Sequence, residues 1–262
     1  VIARELIDGL RLSKAERRIF KHNNLDDLIH LLDQYPAQTR KWIVVESVYS
    51  MDGDIPDLPR FIEIARRHDA WLMVDEAHAL GVVGARGHGL HEYYGIDPNE
   101  VDIWMGTLSK TLSACGGYIA GNASLIEWLR HSAPGFVYSV GLAPALAAAA
   151  FESLAILHAE PERVARLQAN AALFLGLVRE AGFDTGTASA HAIIPVILGS
   201  SIAAARYSQL LLARGINVQP IIYPAVAEKA ARLRFFLSSE HTEADIRSTI
   251  AALSAIRAEA KK

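Results

Sequence analysis

The chain has 262 residues, 51% of them hydrophobic, with 26 Lys and Arg against 29 Asp and Glu and a formal charge of −3. That length supports a sizeable core in one large domain or two smaller ones, and the scatter of its basic residues excludes a phosphate-backbone track, so nucleic acid is not an expected partner. A single cysteine, Cys115, rules out an internal disulfide and a CxxC metal site and suits the reducing cytoplasm; the most apolar tract, LAPALAAAAF from Leu142, meets Glu152 too early to span a bilayer, and the opening VIARELIDG is not built like a signal peptide.

Strand-like and helical patterns alternate, which predicts an α/β fold whose parallel sheet is covered on both faces. After a first helix, Asn24 opens LDDLIHLLDQY, with Pro36 beyond its end, and KWIVVESVY reads as a strand. A helix from about Asp57 through LPRFIEIARRHD precedes the strand WLMVDEAH, a glycine-studded loop and the short strand DIWMGTLS. GGYIAG reads as a further buried strand. From about residue 144 the pattern turns helical, and Val164, Leu167, Ala171, Phe174 and Val178 form one apolar stripe. HAIIPVIL, NVQPIIYP and RLRFFLS predict three strands of a smaller C-terminal unit, with the helix SSIAAARYSQLLLARG between the first two. Thr242 to Asp245 is a capping-box pattern that opens the last helix. The expected division is 1–150, a cofactor-binding large domain, and 151–262, a C-terminal domain with its linking helix.

Chemistry concentrates at strand ends. Asp75-Glu76-Ala77-His78 stands at the carboxyl end of a strand, where open α/β sheets bind ligands. One reading is the Mg²⁺-holding strand of an ATPase, but the chain has no Gly-Lys pair to serve a phosphate-binding loop. A plainer reading has Asp75 and Glu76 capping the next turn and His78 packed in a loop. The third reading, a grip on a pyridine cofactor, needs a lysine in a tight polar turn nearby. GTLSK supplies Lys110, with Thr107 and Ser109 as hydroxyls for a phosphate and Gly116 and Gly117 allowing close backbone approach. The Thr-x-x-Lys spacing also fits a Ser-x-x-Lys hydrolase poorly, since Thr replaces the nucleophile and no Lys-Thr-Gly follows. His88, His91 and His191 have no metal spacing and read as loop or surface residues, so no metal site is expected.

VESVYSMDGDIPDL, VDEAHALGVVGARGHGL, GTLSKTLSACGGYIAG, FVYSVGLAP and ARLRFFLSSEHT, in this order, resemble the α-oxoamine synthase family of pyridoxal-phosphate (PLP) enzymes. The resemblance runs from about Asp8 to the end. It implies the aspartate-aminotransferase-like fold type I, with a smaller C-terminal α+β domain. By this resemblance Lys110 would hold PLP as a Schiff base and, once displaced by an amino acid, take the Cα proton. Asp75 matches the carboxylate paired with the pyridine nitrogen, and His78 the histidine near the cofactor's 3-hydroxyl. Ser50 matches a serine reaching the same oxygen, and Glu76 stays structural. Thr107 would bind the phosphate in its own subunit and Ser139 that of a partner subunit, which requires a homodimer. Arg234 matches the arginine that grips the substrate carboxylate.

Family members are longer on the N-terminal side, where a glycine-rich turn and groups around the ring are found, and Ala3 stands where the family has its ring-stacking histidine. Tyr223 replaces an arginine typical of the oxononanoate synthases, which weighs against a pimeloyl-type substrate. FVYSVGLAP and SACGGYIAG look more like synthases of secondary-metabolite pathways, whose acyl donor can ride on a carrier protein. The resemblance thus implies condensation of a small amino acid with an acyl thioester, on CoA or a carrier protein, with loss of CO₂. The rivals are another fold-type-I reaction, an aminotransferase or a decarboxylase, and a non-catalytic or truncated partner subunit.

Overall fold

The computed structural model describes residues 4–259, which form two compact units: residues up to 49 with 55–161, and residues 50–54 with those from 162 onward. Ala3 lies outside the described residues.

In the first unit, α1 (Arg4–Leu12) is followed by α2 (Leu25–Leu32), which Asn24 caps by accepting the Asp27 N–H at 2.8 Å. The strands are β1 (Lys41–Glu46), β2 (Ala70–Asp75), β3 (Ile103–Thr107) and β4 (Gly117–Gly121), hydrogen-bonded in that order. The first three are parallel, with Glu46 opposite Asp75 and Asp75 opposite Met105. Between β1 and β2 runs α3 (Leu58–Arg67), which Asp57 caps; it packs on β2 through a face that includes Leu58, Phe61, Ile62 and Ala65. Phe61 is fully buried, and burial of such a side chain contributes about 1.5–3 kcal/mol. The helices α4 (Leu90–Tyr94), α5 (Ala123–Ser132), α6 (Pro134–Val137) and α7 (Pro144–Ala159) complete the unit.

One expectation about this sheet needs correction. GGYIAG forms β4, but it pairs antiparallel with β3 at the edge and most of its residues are exposed. An apolar run of small residues marks a strand without saying which surface covers it. Near the start of the parallel strands Trp42 and Trp71, register partners on β1 and β2, stack with ring centroids 5.1 Å apart and are 52% and 43% exposed. Buried Lys41 beside them is satisfied by the carbonyls of Ala37 and Thr39 at 3.0 and 2.9 Å.

The second unit has α8 (Glu162–Glu180), β5 (Ile193–Ile197), α9 (Ser201–Leu212), β6 (Gln219–Ile221), β7 (Arg232–Phe236) and α10 (Glu243–Glu259). Its strands pair antiparallel in the order β5-β7-β6. The predicted stripe on α8 is buried, with Leu175 added to it. At the start of α10, Thr242 and Asp245 exchange side-chain-to-backbone hydrogen bonds at 2.9 and 3.2 Å, the capping box read from the sequence. His191, read as a loop or surface residue, lies in the bend before β5 and is buried there, and burial lowers its basicity.

The short segment 50–54 is held in this unit by Arg232, whose guanidinium meets the Asp52 carboxylate at 2.7 Å and the Met51 carbonyl at 2.9 Å. Gly53, at φ +71°, lies so close to the Ile193 carbonyl that no Cβ would fit. Arg232 is buried while Asp52 is partly exposed, so truncation leaves a carboxylate that water still reaches and removes the guanidinium's bonds to the Met51 and Ala230 carbonyls. Arg232→Ala is therefore expected to destabilise the second unit by about 2 kcal/mol, measured as a lowered urea midpoint.

Candidate active site

The parallel strands β1 to β3 end side by side, and their carboxyl ends present Ser47, Asp75 and Thr107. Ser47 ties β1 to β2 by giving both its N–H (2.8 Å) and its hydroxyl (2.7 Å) to the Asp75 carbonyl. Asp75 is 3% exposed and its Oδ1 accepts the Ala77 N–H at 2.8 Å. The turn that follows is closed by Ala79 N–H to the Glu76 carbonyl at 3.0 Å, and it carries half-buried His78.

Glu76 has a separate, structural task. Its carboxylate accepts the Leu90 N–H at 3.0 Å and lies where any Cβ on Gly89 would fall, so it closes the loop in front of α4. Burial, with a smaller push from the Asp75 charge, raises its pKa to about 7 against the pull of the Leu90 hydrogen bond. A carboxyl with a folded pKa above its unfolded value stabilises the protein most below pH 4.5, and that stability is lost as pH rises through about 7. The stability is thus expected to fall between pH 5 and 8 by an amount of order 3 kcal/mol, read as a lower urea midpoint, and Glu76→Gln to flatten the profile.

A cavity of about 130 Å³ opens on this side, lined by Glu76, Leu80, His88, His91, Pro98, Trp104 and Tyr118. Asp75, His78, Thr107 and Lys110 do not line it. The two loop histidines of the sequence reading are therefore half-buried cavity residues. Burial lowers the basicity of His91, and burial with the charges of Glu76 and Asp75 pushes the Tyr118 hydroxyl up to about 12.

The lysine turn is tightly organised. Thr107 Oγ1 lies 2.8 Å from Ser109 Oγ, accepts the Ser109 N–H at 3.2 Å and lies 3.2 Å from the Gly116 carbonyl. Leu108 N–H donates to Gly116 at 2.9 Å, and Ala114 N–H to Leu108 at 2.8 Å. Gly116 closes the turn at φ +117°, and Gly117 sits against the Gly106 carbonyl, where a Cβ would not fit. Lys110 is exposed at the turn's tip, while Leu112 is buried. Thr111 gives its hydroxyl to the Leu80 carbonyl at 2.7 Å, fastening this turn to the one that bears His78.

Asp75, His78, Thr107 and Lys110 thus gather at the ends of β2 and β3. Ser139 is exposed after α6, 3.4 Å from the Phe136 carbonyl; nearby in sequence, Leu142 approaches Gly116. Ser50 and Arg234 belong to the second unit, where Arg234 Nη1 donates to the Ser50 carbonyl at 3.0 Å and its guanidinium stands 4.7 Å over the Phe236 ring. Tyr223, in the place of the oxononanoate synthases' arginine, is exposed in the same unit. The sequence reading passed over Ser47, Thr111 and Arg232. Their contacts join residues 28, 31 and 180 positions apart, and no local pattern announces them.

The aminotransferase class I and II family model matches residues 4–253. The 8-amino-7-oxononanoate synthase 1 of Bacillus subtilis (strain 168) is 40% identical over 241 residues, 92% of this chain and 61% of the relative. Among solved structures, serine palmitoyltransferase from S. paucimobilis with bound PLP superposes with a TM-score of 0.93 at 32% identity, covering 98% of this chain and 65% of that one. The 8-amino-7-oxononanoate synthase of Francisella tularensis gives 0.85 at 28% identity, covering 100% and 74%. The chain spans about three fifths of the length of the curated relatives it matches. It belongs to the aminotransferase class I and II family, on the α-oxoamine synthase branch where these relatives lie.

Proposed function

We propose that the protein is a PLP-dependent acyltransferase that condenses a small amino acid with an acyl thioester and releases CO₂, giving an α-amino ketone. The observation that carries this reading is the placement of a buried carboxylate, Asp75, and a lysine, Lys110, on turns at adjacent strand ends that Thr111 fastens together. The residues fit the cofactor. Two hydroxyls 2.8 Å apart and glycines that leave room for the backbone suit a phosphate, and a buried carboxylate suits a protonated ring nitrogen. When bound, PLP supplies an electron sink for the negative charge that develops at the amino acid's α-carbon.

Lys110 would hold the cofactor through its amine and, once released, would take the α-proton and return it to the same carbon after the acyl group has joined, the thiol has left and CO₂ has been lost. Asp75 would pair with the ring nitrogen and favour its protonated form. His78, the residue after Ala77 on the same turn, would hold the cofactor's phenolic oxygen and orient the substrate. Thr107 takes the phosphate. Ser50 is assigned to the phenolic oxygen as well, and Arg234 to the substrate carboxylate, work that suits a planar fork of donors.

A homodimer in which Ser139 reaches the partner's phosphate is part of this proposal. It is supported by the exposed apolar side chains that flank that serine in the chain, Tyr138 at 87% and Val140 at 97%, and by α7, a largely apolar helix of the kind that ordinarily packs against something, whose Phe151 is 74% exposed. Among the described residues no helix is long and apolar enough to cross a membrane, which accords with a cytoplasmic enzyme. CoA thioesters are the first donors to be tried, and the tract FVYSVGLAP favours adding carrier-protein thioesters to the same screen.

The test is an assay of the purified protein with PLP, an amino acid from the set glycine, alanine and serine, and a series of acyl thioesters. Stoichiometric CO₂ and free thiol that both require the amino acid would support the condensation. Release of CO₂ without any acyl donor, or amino-group transfer to an oxo acid, would replace it with a decarboxylase or an aminotransferase.

A further inference from the structure

Lys110 is the residue on which the proposed function turns, yet it is exposed at the tip of a ten-residue turn, Thr107–Gly116. A long flexible side chain acts on a bound group only if its Cα is held at a fixed distance from the groups it works with. Two features hold it. Leu112 is buried, an apolar anchor below the turn. Thr111, next to the lysine, sends its hydroxyl to the Leu80 carbonyl at 2.7 Å and lies directly against Gly81. Gly81 stands at φ +77°, and a Cβ there would run into the Thr111 side chain within 3.0 Å, so the glycine is required on both counts. The acceptor is a backbone atom of the turn that carries His78, and that turn is itself closed by Leu80 N–H to the Glu76 carbonyl and Gly81 N–H to the Gly87 carbonyl.

We propose that Thr111, seated on Gly81, is a positioning residue that locks the Lys110 turn to the Asp75–Gly81 turn and thereby sets the reach of the lysine to the cofactor. This rests on the assignment of Lys110 given above. The latch works through backbone placement, so Thr111 itself touches neither cofactor nor substrate. Serine at this position keeps the hydroxyl and valine keeps the shape without a donor, which separates the hydrogen bond from packing.

The experiment compares wild type, Thr111→Ser and Thr111→Val by two readouts. The first is the fraction of protein carrying pyridoxyl on Lys110 after incubation with limiting PLP and borohydride reduction, read by mass spectrometry. Thr111→Val is expected to lower that fraction by about fivefold, the factor one net hydrogen bond carries, with Thr111→Ser close to wild type. The second is amide hydrogen exchange without PLP: valine is expected to speed exchange in 78–83 and in 108–116 together, while the core strands keep their protection. Equal trapping in all three proteins, or faster exchange in only one of the two turns, would overturn the latch. If wild type traps no pyridoxyl, the functional reading fails, and the exchange comparison still decides whether the turns are coupled.

Discussion

Lys110→Ala is expected to leave a folded protein that retains no borohydride-stable pyridoxyl group and makes condensation product at least about 10³-fold more slowly than wild type. Two losses combine. A positioned general base is worth about 10² to 10⁴ in rate, and the same amine is the nucleophile that holds the cofactor. The fold should not suffer, because Lys110 is exposed and the turn is anchored by Thr107, Thr111 and Leu112. Thermal unfolding within a degree or two of wild type, together with the mass spectrum and the product assay, checks both halves. Full activity in this variant would remove Lys110 from the chemistry and with it the whole scheme.

How much of this was legible in the chain depends on whether a feature is local. Helix caps are local, and Asn24, Asp57 and Thr242 all cap where their spacing predicts. The α8 stripe is a periodicity within one element, and it is buried as read. Strand identity was also readable, but coverage was not: GYIAG has the composition of a core strand and sits exposed at an edge. Burial is a property of what lies next to an element, and the residues of the element do not carry it. His191 makes the same point in the other direction: it stands in a loop, as read, and the fold encloses that loop.

The candidate site divides in the same way. Asp75 and His78 stood out as candidates because a strand end concentrates function, and Lys110 because a polar turn followed a strand. Ser47, Thr111 and Arg232 were missed because each acts on a backbone or side chain far away in sequence. Glu76 shows the value of reading both neighbours of a motif: of two adjacent carboxylates, one takes the Ala77 N–H at the strand end and the other caps a loop fourteen residues on. Their roles separate only when their partners are known.

That contrast gives the sharpest test of Asp75. Asp75→Asn keeps an oxygen for the Ala77 N–H and nearly the same volume, so the strand end should hold its shape. What it removes is the negative charge that favours a protonated ring nitrogen, and losing one preorganised electrostatic partner costs about 3 kcal/mol, or roughly 10²-fold in kcat. Pyridoxyl should still be trapped on Lys110, because the lysine and its turn are untouched. The decisive measurement is exchange of the amino acid's α-hydrogen in D₂O with no acyl donor present. Charge at the α-carbon develops in that step, so its rate should fall in proportion to condensation. Glu76→Gln, next door, should leave the exchange rate within about threefold of wild type, since its carboxylate serves the Leu90 loop. If Asp75→Asn slows condensation and spares α-hydrogen exchange, Asp75 acts on the acyl-transfer step, and the carboxylate that pairs with the ring nitrogen has to be another one.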